Sequence, residues 1–341
     1  SSAAAADAKS ASATPILPIM PGGPLSHPRR SIARRRDSRS SRIRARRIDG
    51  AGEIVRPVAL EERPLAALAL APSLGRAQAL KPLKIGVMND MSSVYSDFQG
   101  RGSVIAAQLA VEDYSAKLGV PVEILAADHQ NKPDIGAAIA RKWFDEDGVD
   151  VIMDLPNSAV ALAALSVASE KNKAVIGSGA GSSVMTGPKC SKDFVHWTYD
   201  TYEVGHVIGK GVTEQGGKSW FFLTADYAFG TQLQQSAERV VTAGGGKVVG
   251  AVRVPLATSD FSSYLLQAQN SGAQVLGLAN AGGDFINSLK AAHEFGIAQT
   301  MKPAALLGFL SDIKALGLET AQGLYLTTSW YWDLNDKTRA F

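Results

Sequence analysis

Cysteine is nearly missing from this sequence, which holds one such residue, Cys190, in 341. A disulfide scaffold is therefore excluded, and the single thiol suits an exported chain and a cytoplasmic chain equally well. No apolar run approaches eighteen residues, which excludes a membrane-spanning helix. The 33 glycines follow no three-residue period, which excludes collagen. With 45% hydrophobic residues, the chain is long enough for two globular domains.

Catalytic and metal-binding patterns are also missing. The five histidines are scattered and form no spacing typical of a metal site. Neither a G-x-S-x-G nucleophile motif nor a G-x-x-x-x-G-K-[ST] phosphate loop occurs. The run 177–181 resembles a dinucleotide loop, but Ser182 stands where the third glycine is required. We therefore expect a protein that is not an enzyme and that carries neither a cofactor nor a metal ion.

Positive charge is concentrated at the amino-terminal end. Residues 1–63 hold 13 of the 35 basic side chains and 6 of the 32 acidic ones, and ten arginines lie between Arg29 and Arg47. One interpretation is an arm that binds nucleic-acid phosphates. The other, which we prefer, is a disordered tail, since disorder requires no more than this composition. We expect no nucleic-acid partner.

A short apolar stretch follows this tail and ends in small residues at Ala77 and Ala79. This pattern is typical of the end of a secretory signal, although Glu61 and Glu62 replace the usual positive flank. We expect residues 1–79 to be a disordered arginine-rich tail with a signal-like segment ending near Ala79. The mature protein would then begin near Leu80 and be periplasmic.

Short apolar runs alternate with helical stretches from Leu80 onwards, and this alternation predicts an α/β fold with parallel sheets. Pro133 and Asn157 are candidate helix-start residues. The predicted strands are 84–89, 122–127, 149–153 and 174–177, then 220–223, 247–254, 275–278 and 305–307. The predicted helices are 104–118, 135–144 and 159–170, then 204–214, 231–241, 261–269 and 285–295.

These elements form two similar series that meet near residue 200, so we expect two lobes with a ligand between them. Open parallel sheets bind ligands at the carboxyl ends of their strands. The loops at those ends are rich in small, hydroxylated and aromatic residues. A helix beginning at Ser158 would direct free N–H groups and a hydroxyl towards an anionic ligand. The alternative is that Asn157 or Ser158 simply caps its helix, and the two roles are compatible.

Several blocks, taken together, resemble a known family. They are LKIGVMNDMSSVYSDFQGRGSVIAAQLAVED, AADHQNKPDIGAAIARKWFDEDGVDVIMDLPNSAVALA, FFLTADYAFG and PLATSDFSSYLLQAQNSGAQVLGLANAGGD. They are similar to periplasmic solute-binding proteins of ABC importers, of the leucine/isoleucine/valine-binding type, in its branched-chain amino acid or aromatic acid branch. The resemblance covers the chain from about Leu80 to Phe341.

The resemblance implies a type I periplasmic binding fold, in which two Rossmann-like lobes close on one solute. The first lobe would span 80–200 and the second 201–327. Residues 328–341 would return to the first lobe, and the chain would then stop short of the carboxyl-terminal part that the family has. The implied partners are a small carboxylate ligand and the permease subunits of the importer.

The resemblance also implies the ligand-contacting positions. Ser158 and the loop Ala180–Ser182 would hold the ligand's polar groups, Tyr95 would form a wall, and Tyr227 and Phe229 would face it from the second lobe. The full set of expected ligand-binding residues is Tyr95, Asn157, Ser158, Ala180, Gly181, Ser182, Asp226, Tyr227, Phe229, Asn280 and Phe309.

Phe309 suggests the class of ligand. Amino-acid-binding relatives commonly place an acidic residue in this region to pair with the ligand's ammonium group, and an apolar residue cannot offset the cost of burying that cation. We therefore expect an aromatic acid first and a branched-chain amino acid next, with Asp226 or Asp284 as the ammonium partner in the second case. The alternative is a cytoplasmic ligand-sensing regulator, or an amide or amino-acid sensor of the same fold. A regulator would need a helix-turn-helix before residue 80, and no paired helical pattern occurs there.

Overall fold

The computed structural model describes residues 80–340, which contain two five-stranded sheets in which every paired strand is parallel. The strand orders are β2-β1-β3-β4-β5 and β10-β9-β8-β6-β7. The first sheet consists of β1 Leu83–Asn89, β2 Val122–Asp128, β3 Val151–Asp154, β4 Ala174–Gly177 and β5 Phe194–His196. The second consists of β6 Ser219–Ala225, β7 Lys247–Val254, β8 Val275–Ala279, β9 Lys302–Ala305 and β10 Tyr325–Leu326. The predicted α/β class with two lobes is confirmed.

Helices connect the strands in both series. They are α1 Gly100–Leu118, α2 Pro133–Lys142, α3 Ser158–Glu170, α4 Thr201–Glu214, α5 Ala228–Ala243, α6 Ser262–Asn270, α7 Gly282–Glu294, α8 Leu310–Leu316 and α9 Asp336–Ala340. Both predicted helix starts are confirmed. Pro133 opens α2, and the side-chain oxygen of Asn157 accepts hydrogen bonds from the N–H groups of Ala159 and Val160 at 2.9 and 3.1 Å.

Some elements differ from the sequence prediction. The strand expected at 305–307 spans Lys302–Ala305, and the apolar Leu306 and Leu307 continue beyond it as buried loop residues. Strands β5 and β10 were not predicted, because three and two residues are too few to show an alternation. The helix expected to end at 144 leaves the α conformation at Lys142 and continues as a π-helical turn, Trp143–Asp147.

Each sheet is buried against helices. The core of the first sheet includes Met88, Trp143, Ile152, Val160, Leu165 and Val175. In β6 of the second sheet, Trp220 and Phe222 belong to one cluster and Phe221 and Leu223 to another, because successive side chains of a strand point to opposite faces. Both faces of the second sheet are therefore covered, as the continuous apolar runs of parallel strands require.

Helix α4 packs on the second sheet, since Val204, Ile208 and Val212 share a core cluster with Trp220 and Phe222. The predicted lobe limits, 80–200, 201–327 and 328–341, stay predictions. The arginine-rich tail and signal-like segment expected at 1–79 lie outside the described residues. Within residues 80–340, no helix combines the length and the apolar character that crossing a bilayer requires.

Candidate ligand-binding site

An aromatic cluster lies between the two lobes, and both lobes contribute rings to it. Its members are Tyr95 and Phe98 from the loop after β1, Tyr199 from the loop before α4, and Tyr227, Phe229 and Phe309 from the second lobe. The hydroxyls of Tyr95 and Tyr227 are hydrogen-bonded to each other. Phe98 stacks on Phe309 with ring centroids 5.1 Å apart. The two lobes are therefore in direct contact through aromatic side chains.

The loop that carries Tyr95 and Phe98 is held by one buried carboxylate, Asp90, which is fully enclosed. Its oxygens accept hydrogen bonds from the backbone N–H groups of Ser93 and Tyr95 at 2.9 and 2.8 Å, and from the side-chain amide of Asn131 at 2.6 Å. Asp90 was not among the predicted site residues. The available signal was an aspartate directly after a strand and before serines, which is typical of a side-chain-stabilised turn.

The start of α7 in the second lobe lies directly against this loop. The N–H of Gly283 donates to the carbonyl of Val94 at 2.8 Å. Gly282 has a φ of 58°, and a Cβ atom there would lie 2.4 Å from the Val94 oxygen and 2.9 Å from Cδ1 of Tyr95. Only glycine permits both this backbone conformation and this approach. The pair Gly282-Gly283 therefore allows the lobes to touch at this point.

Two buried serines face each other at the strand ends of the first lobe. Ser158 is the first residue of α3, and its hydroxyl oxygen accepts a hydrogen bond from the N–H of Ser182 at 3.1 Å. Neither serine is exposed to solvent. Because this bond uses only a lone pair, the Ser158 hydroxyl can still donate its proton. The structure thus brings together two of the residues that the sequence placed at the anionic end of a ligand.

The hydrogen bonds of Asn157 differ from what the sequence predicted for the start of α3. The sequence predicted free N–H groups at the start of α3, but the Asn157 side chain already accepts from those of Ala159 and Val160. The hydroxyls of Ser158 and Ser182 are therefore the main donors at this helix start, with the positive end of the helix dipole behind them.

Ala180 and Gly181 connect the serine pair to the aromatic cluster. Ala180 is buried, and its carbonyl is hydrogen-bonded to Nε2 of His196 at 2.8 Å. A Cβ atom at Gly181 would lie 2.8 Å from Cε2 of Tyr199 and 3.3 Å from Cε2 of Phe229. The backbone of this loop therefore packs against rings from both sides of the interface, which explains why small residues occupy it.

The turn between β8 and α7 carries two buried polar side chains. Asn280 donates from its amide to the carbonyl of Asp284 at 3.3 Å and to the hydroxyl of Ser288 at 3.1 Å. One carboxylate oxygen of Asp284 accepts from the N–H of Ala257 at 3.1 Å. Burial raises the pKa of Asp284 to about 6, against the effect of the nearby backbone N–H groups of Ala257 and Thr258.

The charge of Asp284 also reaches the aromatic cluster. Burial raises the pKa values of both Tyr95 and Tyr227, and the nearby Asp284 raises them further. Asp284 therefore acts on the two linked phenols, and its neighbour Gly283 is hydrogen-bonded to Val94 in the Tyr95 loop, although Asp284 was only an alternative candidate in the sequence analysis. Its position in the first turn of a helix that starts directly after a strand end could have identified Asp284 as a site residue from the sequence.

Two other predicted residues have contacts that bear on the choice of ligand. Asp226 has a side chain that is 58% exposed and lies 3.9 Å from Arg253, apart from the aromatic cluster. Phe309 lies within the cluster, and its N–H donates to the carboxylate of Asp312 at 2.9 Å. Burial raises the pKa of Asp312 to about 6, and the first-lobe residue Asp97 raises it further.

A family model described as periplasmic binding protein matches residues 82–341. The chain belongs to this family. It is 53% identical to a periplasmic binding protein from Burkholderia mallei, with a TM-score of 0.73, over 76% of this chain and 69% of that one. It is 43% identical to a branched-chain amino acid ABC transporter periplasmic ligand-binding protein from Burkholderia xenovorans, with a TM-score of 0.63, over 76% of this chain and 70% of that one.

A third solved structure is a solute-binding protein of an ABC transporter from R. palustris in complex with 4-hydroxybenzoate. It is 25% identical, with a TM-score of 0.62, over 66% of this chain and 61% of that one. These matches confirm the predicted family and the type I periplasmic binding fold. The present chain is a substrate-binding protein of the ABC-transporter type and not an enzyme. No group of side chains in residues 80–340 is arranged to hold a metal ion.

Proposed function

We propose that this binding protein captures a small aromatic carboxylate between its lobes and delivers it to the permease of an ABC importer. The observation that carries this proposal is the aromatic cluster, which draws rings from both lobes and adjoins the buried Ser158 and Ser182. A ligand held there contacts both lobes at once, so it favours the closed arrangement over an open one. We also propose that the protein is exported and acts in the periplasm, as its family suggests.

The ring-rich part of the interface suits the apolar body of an aromatic acid. Tyr95 and Phe98 approach from the first lobe, and Tyr227 and Phe309 from the second. Offset or edge-on contacts between aromatic rings contribute about 0.5–1.5 kcal/mol per pair beyond the buried area. A flat ring between these side chains makes such contacts on two sides, whereas a branched aliphatic side chain makes none.

The carboxylate end of the ligand suits the serine pair. A carboxylate that accepts a hydrogen bond gains roughly 1.5–3 kcal/mol from each charge-assisted donor. Ser158 stands at the positive end of the α3 dipole, which adds to the attraction for an anion. The 4-hydroxybenzoate complex of the R. palustris relative supports a carboxylate of this kind.

The second candidate is a branched-chain amino acid, because the similar Burkholderia xenovorans protein is a branched-chain amino acid ABC transporter periplasmic ligand-binding protein. Such a ligand needs an acceptor for its ammonium group close to the hydrogen-bond donors that hold its carboxylate. Beside the Ser158–Ser182 pair, Gly181 packs against the rings of Phe229 and Tyr199, which carry no negative charge to pair with an ammonium group. The aromatic acid therefore agrees better with the contacts.

Calorimetric titration of the purified full chain tests the choice. We expect benzoate and 4-hydroxybenzoate to bind more tightly than leucine and valine do. Micromolar binding of leucine without binding of either benzoate would contradict the aromatic-acid proposal and favour the second candidate. Fractionation of cells that express the chain with its natural amino terminus tests export: protein confined to the cytoplasm would contradict the proposed location.

A further inference from the structure

Two buried acceptor oxygens in the β8–α7 turn have no hydrogen-bond donor among residues 80–340. One is Oδ1 of Asp284 and the other is Oδ1 of Asn280. Both residues are nearly fully buried, with 3% and 2% of their surfaces exposed. A buried acceptor without a donor costs free energy, and a charged one costs the most. The two atoms belong to residues four positions apart in one turn, and a donor from outside the chain would satisfy them.

No cation in the described part of the chain forms an ion pair with Asp284. Its second oxygen is already bonded to the Ala257 N–H, so the carboxylate is held in one orientation. The Asn280 amide group donates to Asp284 and Ser288, which fixes the orientation of its own oxygen. Both acceptors are therefore rigid before any ligand arrives, as a specificity site requires.

The aromatic rings separate this turn from the serine pair. Gly181, next to Ser182, packs against Phe229, and Phe229 lies 6.0 Å from Tyr227 between ring centroids. Tyr227 is linked in turn to Tyr95, beside which Asp284 lies. The serine pair thus adjoins Phe229 and Tyr199, whereas Asp284 adjoins the linked Tyr95 and Tyr227. An α-amino acid carries its carboxylate and ammonium on one carbon atom, so it suits this arrangement less well than a ligand with polar groups on two sides of a ring.

We propose that Asp284 is a specificity-determining residue that accepts a hydrogen bond from a hydroxyl group on the far side of the ligand's ring. The preferred ligand class is then a hydroxy-substituted aromatic carboxylate, with its carboxylate at Ser158 and Ser182 and its hydroxyl at Asp284 and Asn280. This inference rests on the proposed function, since it requires an aromatic acid in the cleft.

The test compares 4-hydroxybenzoate with benzoate by calorimetry, first on the unaltered chain and then on Asp284→Asn. A hydrogen bond to a charged acceptor is worth about tenfold or more in affinity, so the unaltered chain should prefer 4-hydroxybenzoate by at least about tenfold. Asp284→Asn keeps the size of the side chain but removes its charge. It should reduce the preference to about threefold or less while leaving benzoate affinity unchanged.

The matched control is Asp134→Asn, which removes an exposed acidic residue from the first turn of α2. This variant should keep the full preference. Because benzoate does not contact Asp284 through a hydroxyl, unchanged benzoate affinity in Asp284→Asn also shows that the variant is folded. A series of 2-, 3- and 4-hydroxybenzoate on the unaltered chain needs no variant, and the 4-isomer should bind most tightly.

Three results would overturn the inference. One is equal affinity of the unaltered chain for benzoate and 4-hydroxybenzoate, which leaves the proposed function standing. Another is an equal loss of both affinities in Asp284→Asn. The third is binding of leucine that Asp284→Asn abolishes, which would make the ammonium group the missing donor. If neither benzoate binds and leucine does, the proposed function fails as well.

Discussion

The two sides of the proposed cleft are built from different chemistry. Apart from the rings of Tyr95 and Phe98, the first-lobe wall consists of small residues that are closely bonded to their own backbone, namely Ser158, Ala180, Gly181 and Ser182. The second-lobe wall consists of Tyr227, Phe229, Asn280, Asp284 and Phe309, which are bulky or carry acceptors without donors. The first wall therefore suits a group common to many ligands, and the second distinguishes among them.

A physical reason underlies this division. The polar groups of the first-lobe wall already have partners within the chain, as the Ser158–Ser182 bond shows, so that wall is organised in advance. In the second-lobe wall, Asp284 and Asn280 keep buried acceptors that only a ligand with a matching donor satisfies. A site built to hydrogen-bond one group rejects an analogue that lacks it much more strongly than an apolar pocket does.

The largest expected effect comes from keeping the two walls apart. Gly282→Ala places a Cβ atom 2.4 Å from the Val94 oxygen and should weaken binding of aromatic acids on the order of hundredfold, because the closed arrangement is lost.

The control is Gly296→Ala. Gly296 has a similar positive φ of 68°, but no atom lies within 4 Å of the added Cβ. Calorimetry should show normal affinity for the control and a similar fall in melting temperature for both variants. Equal affinities in the two variants would contradict the contact role of Gly282.

A smaller effect is expected from removing a donor of the first-lobe wall. Ser158→Ala should weaken binding about tenfold to a hundredfold, since one charge-assisted hydrogen bond is lost. Benzoate and 4-hydroxybenzoate should weaken by the same factor, in contrast to the selective effect of Asp284→Asn. Ser166→Ala, at an exposed position of the same helix, is the control and should bind normally. A selective loss of 4-hydroxybenzoate in Ser158→Ala would reverse the roles assigned to the two walls.

The smallest effect concerns pH and the second-lobe wall. The pKa of Asp284 is raised to about 6, so its carboxylate is ionised above this pH and protonated below it. The charge-assisted bond to a ligand hydroxyl should therefore weaken as pH falls. We expect the preference for 4-hydroxybenzoate over benzoate to shrink about threefold between about pH 7.5 and pH 5. Titrations at both pH values measure it, and a preference that grows on acidification would contradict the assignment.

The stability of the fold also depends on pH in this range through several buried groups. Asp284 and Asp312 have pKa values raised to about 6 in the folded protein, so folding takes up protons between pH 6 and the lower pKa values of the unfolded chain. Both groups therefore make the fold more stable as pH falls through this window. Burial lowers the pKa of His129 to about 4, and this group acts in the opposite direction below its unfolded value near 6.5. The melting temperature at each pH accompanies the titrations as a check.

Local patterns in the sequence were enough to predict the order of most strands and helices and the α/β class, whereas the class of protein followed from the resemblance of longer blocks to a known family. Short apolar runs identified seven of the strands and the last residue of an eighth, β9. Asn157 and Pro133 marked helix starts, because period and capping depend on near neighbours in the chain. Serine and aromatic residues after strand ends were candidates for the same reason, since parallel sheets bring those ends to one edge, and their contact with a ligand stays a prediction.

What only the tertiary structure decided was how distant segments meet. Asp90 organises the Tyr95 loop through Asn131, 41 residues away, and Gly282 touches Val94 across the interface of the lobes. Asp226 and Asp284 are equivalent candidates by sequence, yet one is largely exposed beside Arg253 and the other is buried beside two phenols. Burial and charge environment depend on packing between residues far apart in the chain, and no local pattern encodes them.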